Sequence, residues 1–389
     1  MQDTPRANRL HISFFGRTNS GKSTLLNQLA GQEISIVSDV AGTTTDPVYK
    51  AMELLPIGPV VLVDTAGFCD DSVLGEQRLS KTLEVVRKTD LAVLVVSSER
   101  EEFTEEQRYL DLLREHKVKT VCVVNQFGKK EGVTPPLDLP TLFIDASNFS
   151  EMGTFKKFLI QHADCDFEIP SLTGHLVKPG DLVILVAPQD IQAPKGRLIL
   201  PQVQTIRDLL DNDCKTIVLK PADLPPMLAL LKEPPALVIT DSQVFKTVDE
   251  MLPKDIPLTS FSVLMSENKG NIESFIRGAK AISSLKPGDR VLIMESCTHH
   301  ALPDDIAREK LPRMLQKYVG GKLQIELFSG QGFPHDMEGY KLIFHCGGCM
   351  LNRKNMLSKI SEAEQYGVPM TNFGIAIAYM NGMLDRICW

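Results

Sequence analysis

Eight residues near the N-terminus have the types and the spacing of a phosphate cradle. Gly16-Arg17-Thr18-Asn19-Ser20-Gly21-Lys22-Ser23 follows the apolar run His11 to Phe15 and precedes the helix-like Thr24 to Ala30. That is G-x-x-x-x-G-K-S in its strand, loop and helix setting. Glycines let successive backbone N–H groups turn inward around phosphates, and the helix N-terminus adds positive potential. Lys22 can reach the β and γ phosphates and Ser23 can bind Mg²⁺. Gly16, Asn19, Ser20, Gly21, Lys22, Ser23 and Thr24 are therefore the expected nucleotide-binding residues. Asp64-Thr65-Ala66-Gly67 comes directly after the apolar Val60 to Val63. A carboxylate at a strand end can hold Mg²⁺ through water, and Gly67 lets its N–H approach a γ-phosphate. Between the two motifs lies Gly42-Thr43-Thr44-Thr45-Asp46. A threonine hydroxyl from such a loop can complete the Mg²⁺ shell and detach when the γ-phosphate leaves.

A second constellation lies far downstream, where Cys297-Thr298-His299 is followed by His345-Cys346-Gly347-Gly348-Cys349. Cys297 ends the strand expected from Arg290, and Cys346 ends the one expected from Lys341. If both run parallel in one sheet, their C-terminal ends share the edge where open α/β sheets place ligands. Cys349 then falls near the start of the next helix, whose dipole favours thiolate. Gly347 and Gly348 permit the tight turn between the two sulfurs. Three thiolates suit an iron–sulfur cluster whose fourth iron is open or held by His299 or His345. A Cys₃His zinc set and free buried thiols remain open on the same residues. Asp304, Asp305 and Glu309 read as helix-start caps. His116, His162 and His175 have no partners at ligand spacing, Cys122 reads as core, and Met350, Met356, Met380 and Met383 read as packing.

These residues need sheets to position them. Leu10 to about Asp164 alternates short apolar runs with polar helix-like stretches, the rhythm of βαβ units and a mostly parallel sheet. A break at Ile169 to Gly174 precedes a second alternation that ends near Phe261, and a third begins at Ile272. The expectation is three α/β domains: a P-loop domain over 8–168, a middle domain over 172–262 and a C-terminal domain over 263–389. The 389 residues fit two or three domains of ~150 residues. Lys178-Pro179-Gly180-Asp181 recurs as Lys286-Pro287-Gly288-Asp289 before a second apolar run, and reads as a shared turn-to-strand signal rather than a duplicated unit.

Composition excludes several classes. A net charge of -7 gives no overall attraction for nucleic acid or anionic membrane. The longest apolar runs fall far below the ~20 residues that span a bilayer. The N-terminus lacks the apolar stretch of a secretory signal, so a cytoplasmic location is expected. Eight cysteines in such a chain point to metal binding or catalysis rather than a disulfide framework.

Residues 10 to 165 resemble the TrmE/Era-like branch of small GTPases, with its G-T-T-x-D loop. The resemblance makes Thr44 the Mg²⁺ threonine and gives Lys22, Thr44, Asp64 and Gly67 the catalytic roles. It makes Asn19 similar to the asparagine that holds K⁺ in TrmE-like enzymes, where the ion stands in for an arginine finger. Phe68 replaces the water-orienting Gln of Ras-like enzymes, which implies slow intrinsic hydrolysis. The family's guanine motif N-K-x-D reads Asn125-Gln126-Phe127-Gly128 here, without the aspartate. Loss of bonds to a charged acceptor costs roughly ten- to a hundredfold in guanine preference. Asn125 remains, and Asp145-Ala146-Ser147 resembles the family's S-A-K-like base loop, so Asn125, Ala146 and Ser147 are the expected base contacts. GTP is the expected nucleotide.

The whole chain, including Gln192 to Gln202, resembles the HydF family of FeFe-hydrogenase maturases. That implies a 4Fe-4S cluster on Cys297, Cys346 and Cys349, a di-iron cargo carried to apo-hydrogenase, radical-SAM maturases as further partners, and a homodimer formed through the middle segment. The competing reading is a TrmE/Era-like RNA-associated GTPase with a structural zinc appendage, which the acidic charge does not favour.

Overall fold

The computed structural model describes residues 6–31, 47–65, 81–128, 135–163, 171–189, 198–296, 305–330, 332–334, 336–348 and 351–389. Thr44, Gly67, Phe68, Cys297, His299, Asp304, Cys349 and Met350 lie outside the described residues, as do 192–197 of the middle stretch. The chain divides into two compact units, Met1–Glu168 and Ile169–Trp389.

The first unit is built on six strands: β1 (Leu10–Phe15), β2 (Val48–Leu54), β3 (Gly58–Asp64), β4 (Leu91–Ser97), β5 (Lys119–Asn125) and β6 (Thr141–Ile144). Their order is β2-β3-β1-β4-β5-β6. Only β2 runs antiparallel to its neighbour; the other pairs are parallel. Because helices cover both faces, β3, β4 and β5 are almost continuously apolar rather than alternating, and β1 is buried throughout, including its His11 and Ser13. Ile12 and Phe14 pack with helices Lys22–Ala30 and Met152–His162 on one face. Phe15, Val61 and Val63 pack with Tyr109 and Leu113 of helix Thr104–Glu115, and with Val85 and Val86 of helical residues 81–86, on the other. Edge strand β2 was not legible in the apolar rhythm, because six of its seven residues are half-buried or exposed.

The second unit holds two parallel four-stranded sheets. One contains β7 (Leu182–Val186), β8 (Lys215–Leu219), β9 (Leu237–Thr240) and β10 (Leu258–Ser260), ordered β10-β9-β7-β8. The other contains β11 (Arg290–Glu295), β12 (Gln324–Ser329), β13 (Tyr340–His345) and β14 (Met370–Asn372), ordered β12-β11-β13-β14. Counted within each half, both sheets have the same order, 2-1-3-4. The entry turns match: Lys178 N–H donates to Asp181 Oδ2 and Lys286 N–H to Asp289 Oδ2, both at 2.8 Å. The last strands match too, since Val238 N–H donates to Pro257 O and Ile343 N–H to Pro369 O, both at 3.0 Å. Each last strand then feeds a helix capped by its final residue, Ser260 for Phe261–Lys269 and Asn372 for Phe373–Met380. The Lys-Pro-Gly-Asp echo is thus part of a duplicated unit and not only a shared turn. Ile256-Pro257-Leu258-Thr259-Ser260-Phe261 and Val368-Pro369-Met370-Thr371-Asn372-Phe373 are its second sequence trace.

The two halves share one hydrophobic cluster that joins Ile184 and Val186 to Leu292 and Phe344. A division between 262 and 263 falls inside helix Phe261–Lys269. Edge strands β14 and β10 are both covered by segments of the C-terminal half. Helix Ile272–Lys280 lies on β14 so closely that a Cβ at Gly278 would collide with the Met370 carbonyl. Ile387 bridges Leu258 in β10, and Cys388 N–H donates to the Leu258 carbonyl at 3.0 Å.

Candidate functional site

The phosphate loop connects β1 to helix Lys22–Ala30 as the sequence predicts. Gly16 and Gly21 have φ of 137° and 97°, and a Cβ at either would collide, with the Val95 carbonyl or the Asn125 amide respectively. Asn19 is exposed at φ 63°, a conformation Asn tolerates better than most residues. The buried Lys22 ammonium donates to Gly16 O at 2.9 Å and Arg17 O at 2.6 Å, inside the curl of the loop. Ser23 Oγ donates to Asp64 Oδ2 at 2.6 Å, so the hydroxyl and the fully buried carboxylate meant for Mg²⁺ already share one point. Hard oxygen donors are the set Mg²⁺ takes alongside phosphate oxygens. Thr24 is the third residue of the same helix.

Asn125, at the end of β5, fastens this loop to the base loop. Its Nδ2 donates to Ser20 O at 3.2 Å, and its Oδ1 accepts from Ala146 N at 3.0 Å and Phe127 N at 3.4 Å. A Cβ at Gly21 would stand 3.6 Å from Ala146 Cβ, so the two loops touch. Ser147 is exposed and turns its hydroxyl and N–H onto Asp145 Oδ1 at 2.6 and 2.9 Å. Those bonds, led by the hydroxyl, hold the Asp145 carboxyl below the usual carboxylate range. Beside the loop lies a cavity of about 340 Å³ lined by Arg17, Thr18, Asn19, Ser20 and Phe127 among others.

In the second unit β11 and β13 are parallel neighbours, with Met294 opposite His345. Their C-terminal ends meet: Cys346 N–H donates to Met294 O at 2.9 Å, and Ser296 N–H donates to Cys346 Sγ at 3.3 Å. Ser296 is the residue before Cys297 in the sequence. His345 is fully buried. Its Nδ1 lies 2.6 Å from Cys346 O and its Nε2 3.0 Å from Ser296 Oγ. A carbonyl only accepts, so Nδ1 carries the proton and Nε2 accepts from the serine hydroxyl. In this arrangement His345 positions the two strand ends. Gly348 has φ 60° and no room for a Cβ, which would collide with Met356. Lys269, 3% exposed, donates to Leu351 O at 3.0 Å and Gly348 O at 3.5 Å, pinning both sides of the segment that carries Cys349. Among the described residues no three His, Cys, Asp or Glu side chains form a metal-binding group, and two of the three cysteines lie outside them. A half-buried thiol already accepting a backbone N–H, on a glycine turn, has the chemistry of a cluster ligand.

The lone histidines are satisfied: His175 pairs with Glu267 at 3.0 Å, and His116 and His162 bond their own helices. Burial pushes the Cys122 thiol up to about 12, as expected of core. Asp305 caps Ala307 and Arg308, and Glu309 pairs with Arg313. Sequence reasoning missed Ser296 and Lys269; adjacency to Cys297 could have pointed to the first, and nothing local marks the second.

A G-x-x-x-x-G-K-S loop on a mostly parallel sheet, with Asp64 against Ser23, defines a P-loop GTPase unit joined to a second α/β unit. Residues 11–126 match the 50S ribosome-binding GTPase family, 172–270 match the hydrogen maturase F dimerization domain, and 273–388 match its tetramerization domain. The two maturase domains together take more than half of the sequence, and the chain belongs to the hydrogen maturase F family. It is also similar to the tRNA modification GTPase MnmE of Nitrosomonas europaea, 30% identical over 47% of this chain and 41% of that protein. MnmE of Chromobacterium violaceum is 40% identical over 39% and 34%. GTPase Der of Sulfurimonas denitrificans is 34% identical over 32% and 26%. The chain thus spans less than half the length of these relatives, and the likeness to them concerns the GTPase unit.

Proposed function

We propose that this protein is a hydrogenase maturation GTPase whose second unit holds a 4Fe-4S cluster on Cys297, Cys346 and Cys349 and carries a di-iron precursor to apo FeFe-hydrogenase. The observation that carries this reading is the meeting of the β11 and β13 ends, where Ser296 N–H reaches Cys346 Sγ at 3.3 Å. It puts sulfur chemistry at the sheet edge where α/β folds bind ligands. When bound, the cluster supplies an iron position with exchangeable ligation. Cys346 would hold it, Ser296 N–H would bond to the coordinating sulfur, and His345 would fix both strand ends. Lys22, Ser23, Thr44, Asp64 and Gly67 bind and position GTP and Mg²⁺, with Thr44 released when the γ-phosphate leaves. Gly16, Ser20, Gly21 and Thr24 line the phosphates, and Asn125, Ala146 and Ser147 form the base end. Asn19 holds a K⁺ ion that offsets charge near the β/γ bridge. The protein acts in the cytoplasm as a homodimer and receives its cargo from radical-SAM maturases.

The test is transfer. Protein loaded with precursor and mixed with apo-hydrogenase yields hydrogen evolution, and a Cys346→Ser protein treated identically does not. Equal activation by both proteins contradicts the reading. Hydrolysis faster in K⁺ than in equal Na⁺ supports the role of Asn19, and identical rates remove it.

A further inference from the structure

The guanine motif lacks its aspartate, and a chain that hydrolyses GTP needs another acceptor for the two donors on the Watson–Crick edge of guanine. Position 128, where the family places that carboxylate, is a glycine at φ 79°. The nearest heavy atom to a Cβ built there is Asp145 Oδ2, at 3.7 Å. We propose that Asp145 reads guanine in this chain, its carboxylate occupying the space that an aspartate side chain at position 128 would otherwise fill.

Three observations place it to do so. Asp145 sits immediately before Ala146, which is in contact distance of the phosphate loop and is tied to it through Asn125. Its Oδ1 is fixed by Ser147, while Asp145 N–H donates to Glu151 Oε2 at 2.8 Å, so the carboxylate is held in one orientation. Hydrogen bonds from Ser147, and a further one from Gly128, keep it ionised well below neutral pH. The carboxylate has thus moved from one loop to its neighbour, which is why N-K-x-D cannot be found in the sequence although guanine recognition is retained.

Asparagine at position 145 can still accept from Ser147 through its Oδ1, so Asp145→Asn keeps the two Ser147 bonds while replacing the Oδ2 acceptor, and the bond it takes from Gly128, with an amide donor. Xanthine carries a carbonyl where guanine carries its exocyclic amine. Titration of the full chain with GTP, XTP and ATP analogues should show Asp145→Asn losing about ten- to a hundredfold for GTP and gaining for XTP. Asp145→Ala should lose GTP without gaining XTP. Far-ultraviolet circular dichroism controls for folding. GTP binding by Asp145→Asn within about twofold of the unaltered protein overturns the proposal. So does a loss for GTP with no gain for XTP in Asp145→Asn, which reduces Asp145 to a residue that shapes its loop.

Discussion

Replacing Asn125 with alanine should uncouple the two loops that hold a nucleotide. Asn125 is 1% exposed, and its amide links the Ser20 carbonyl to the Ala146 N–H. Ser20 and Ala146 are themselves buried, so the truncation leaves one carbonyl and one N–H without their partner. At about 1 to 3 kcal/mol for each stranded group, the first unit should lose about 2 to 6 kcal/mol. Asn125→Asp keeps the acceptor but sets a buried carboxylate oxygen against the Ser20 carbonyl, so its loss should be at least as large. Urea unfolding followed by hydrogen exchange resolves the first unit from the second, and the Ala146 amide should lose protection selectively. GTP affinity should fall at least tenfold, since the base loop no longer registers with the phosphate loop. An Asn125→Ala protein with unfolding free energy within about 0.5 kcal/mol of the original, and unchanged GTP affinity, refutes the coupling.

Lys22→Ala should abolish hydrolysis yet leave the cluster's visible spectrum intact; loss of the spectrum would mean that the two sites depend on each other structurally. Burial lowers His11 from 6.5 to about 4, so its stabilisation is complete above pH 6.5 and is lost as pH falls toward 4. The difference amounts to about 3 kcal/mol, and His11→Gln, which keeps a donor for Arg9 O, should flatten acid unfolding of the first unit between those values; an unchanged acid profile counts against it. Gly278→Ala should destabilise the second unit by about 3 kcal/mol or more, because the added methyl meets the β14 backbone rather than a side chain that can yield. A melting temperature unaltered by that change contradicts the packing of helix Ile272–Lys280 on β14.

What could be read from the amino-acid string followed how much of each feature is local. The phosphate loop is a contiguous run whose glycines answer to positive φ, so its residues were legible one by one. The strands that bury both faces were legible as apolar runs, whereas β2, β10 and β14 were not. Edge strand β2 lacks a continuous apolar signal, and the other two are only three residues long. The duplication was half visible: its Lys-Pro-Gly-Asp turn repeats in sequence, but the shared 2-1-3-4 order emerges only when strands pair. Pairing also explains why Ser296 and Lys269 escaped notice, and why His345 read as a ligand rather than as a residue that positions the strand ends. Ser296 and His345 meet because β11 lies beside β13, and Lys269 reaches the Gly348 carbonyl from 79 residues away. Asp145 was legible as part of a base loop, while its proximity to Gly128 was not, since that depends on β5 and β6 being neighbours.

Iron and acid-labile sulfide, measured on protein purified without oxygen, test most directly whether the thiols of the second unit share one cluster. About four iron and four sulfide per chain are predicted, falling sharply in Cys346→Ser while nucleotide binding persists. Zinc in place of iron, or the same iron content in Cys346→Ser as in the unaltered protein, would contradict it.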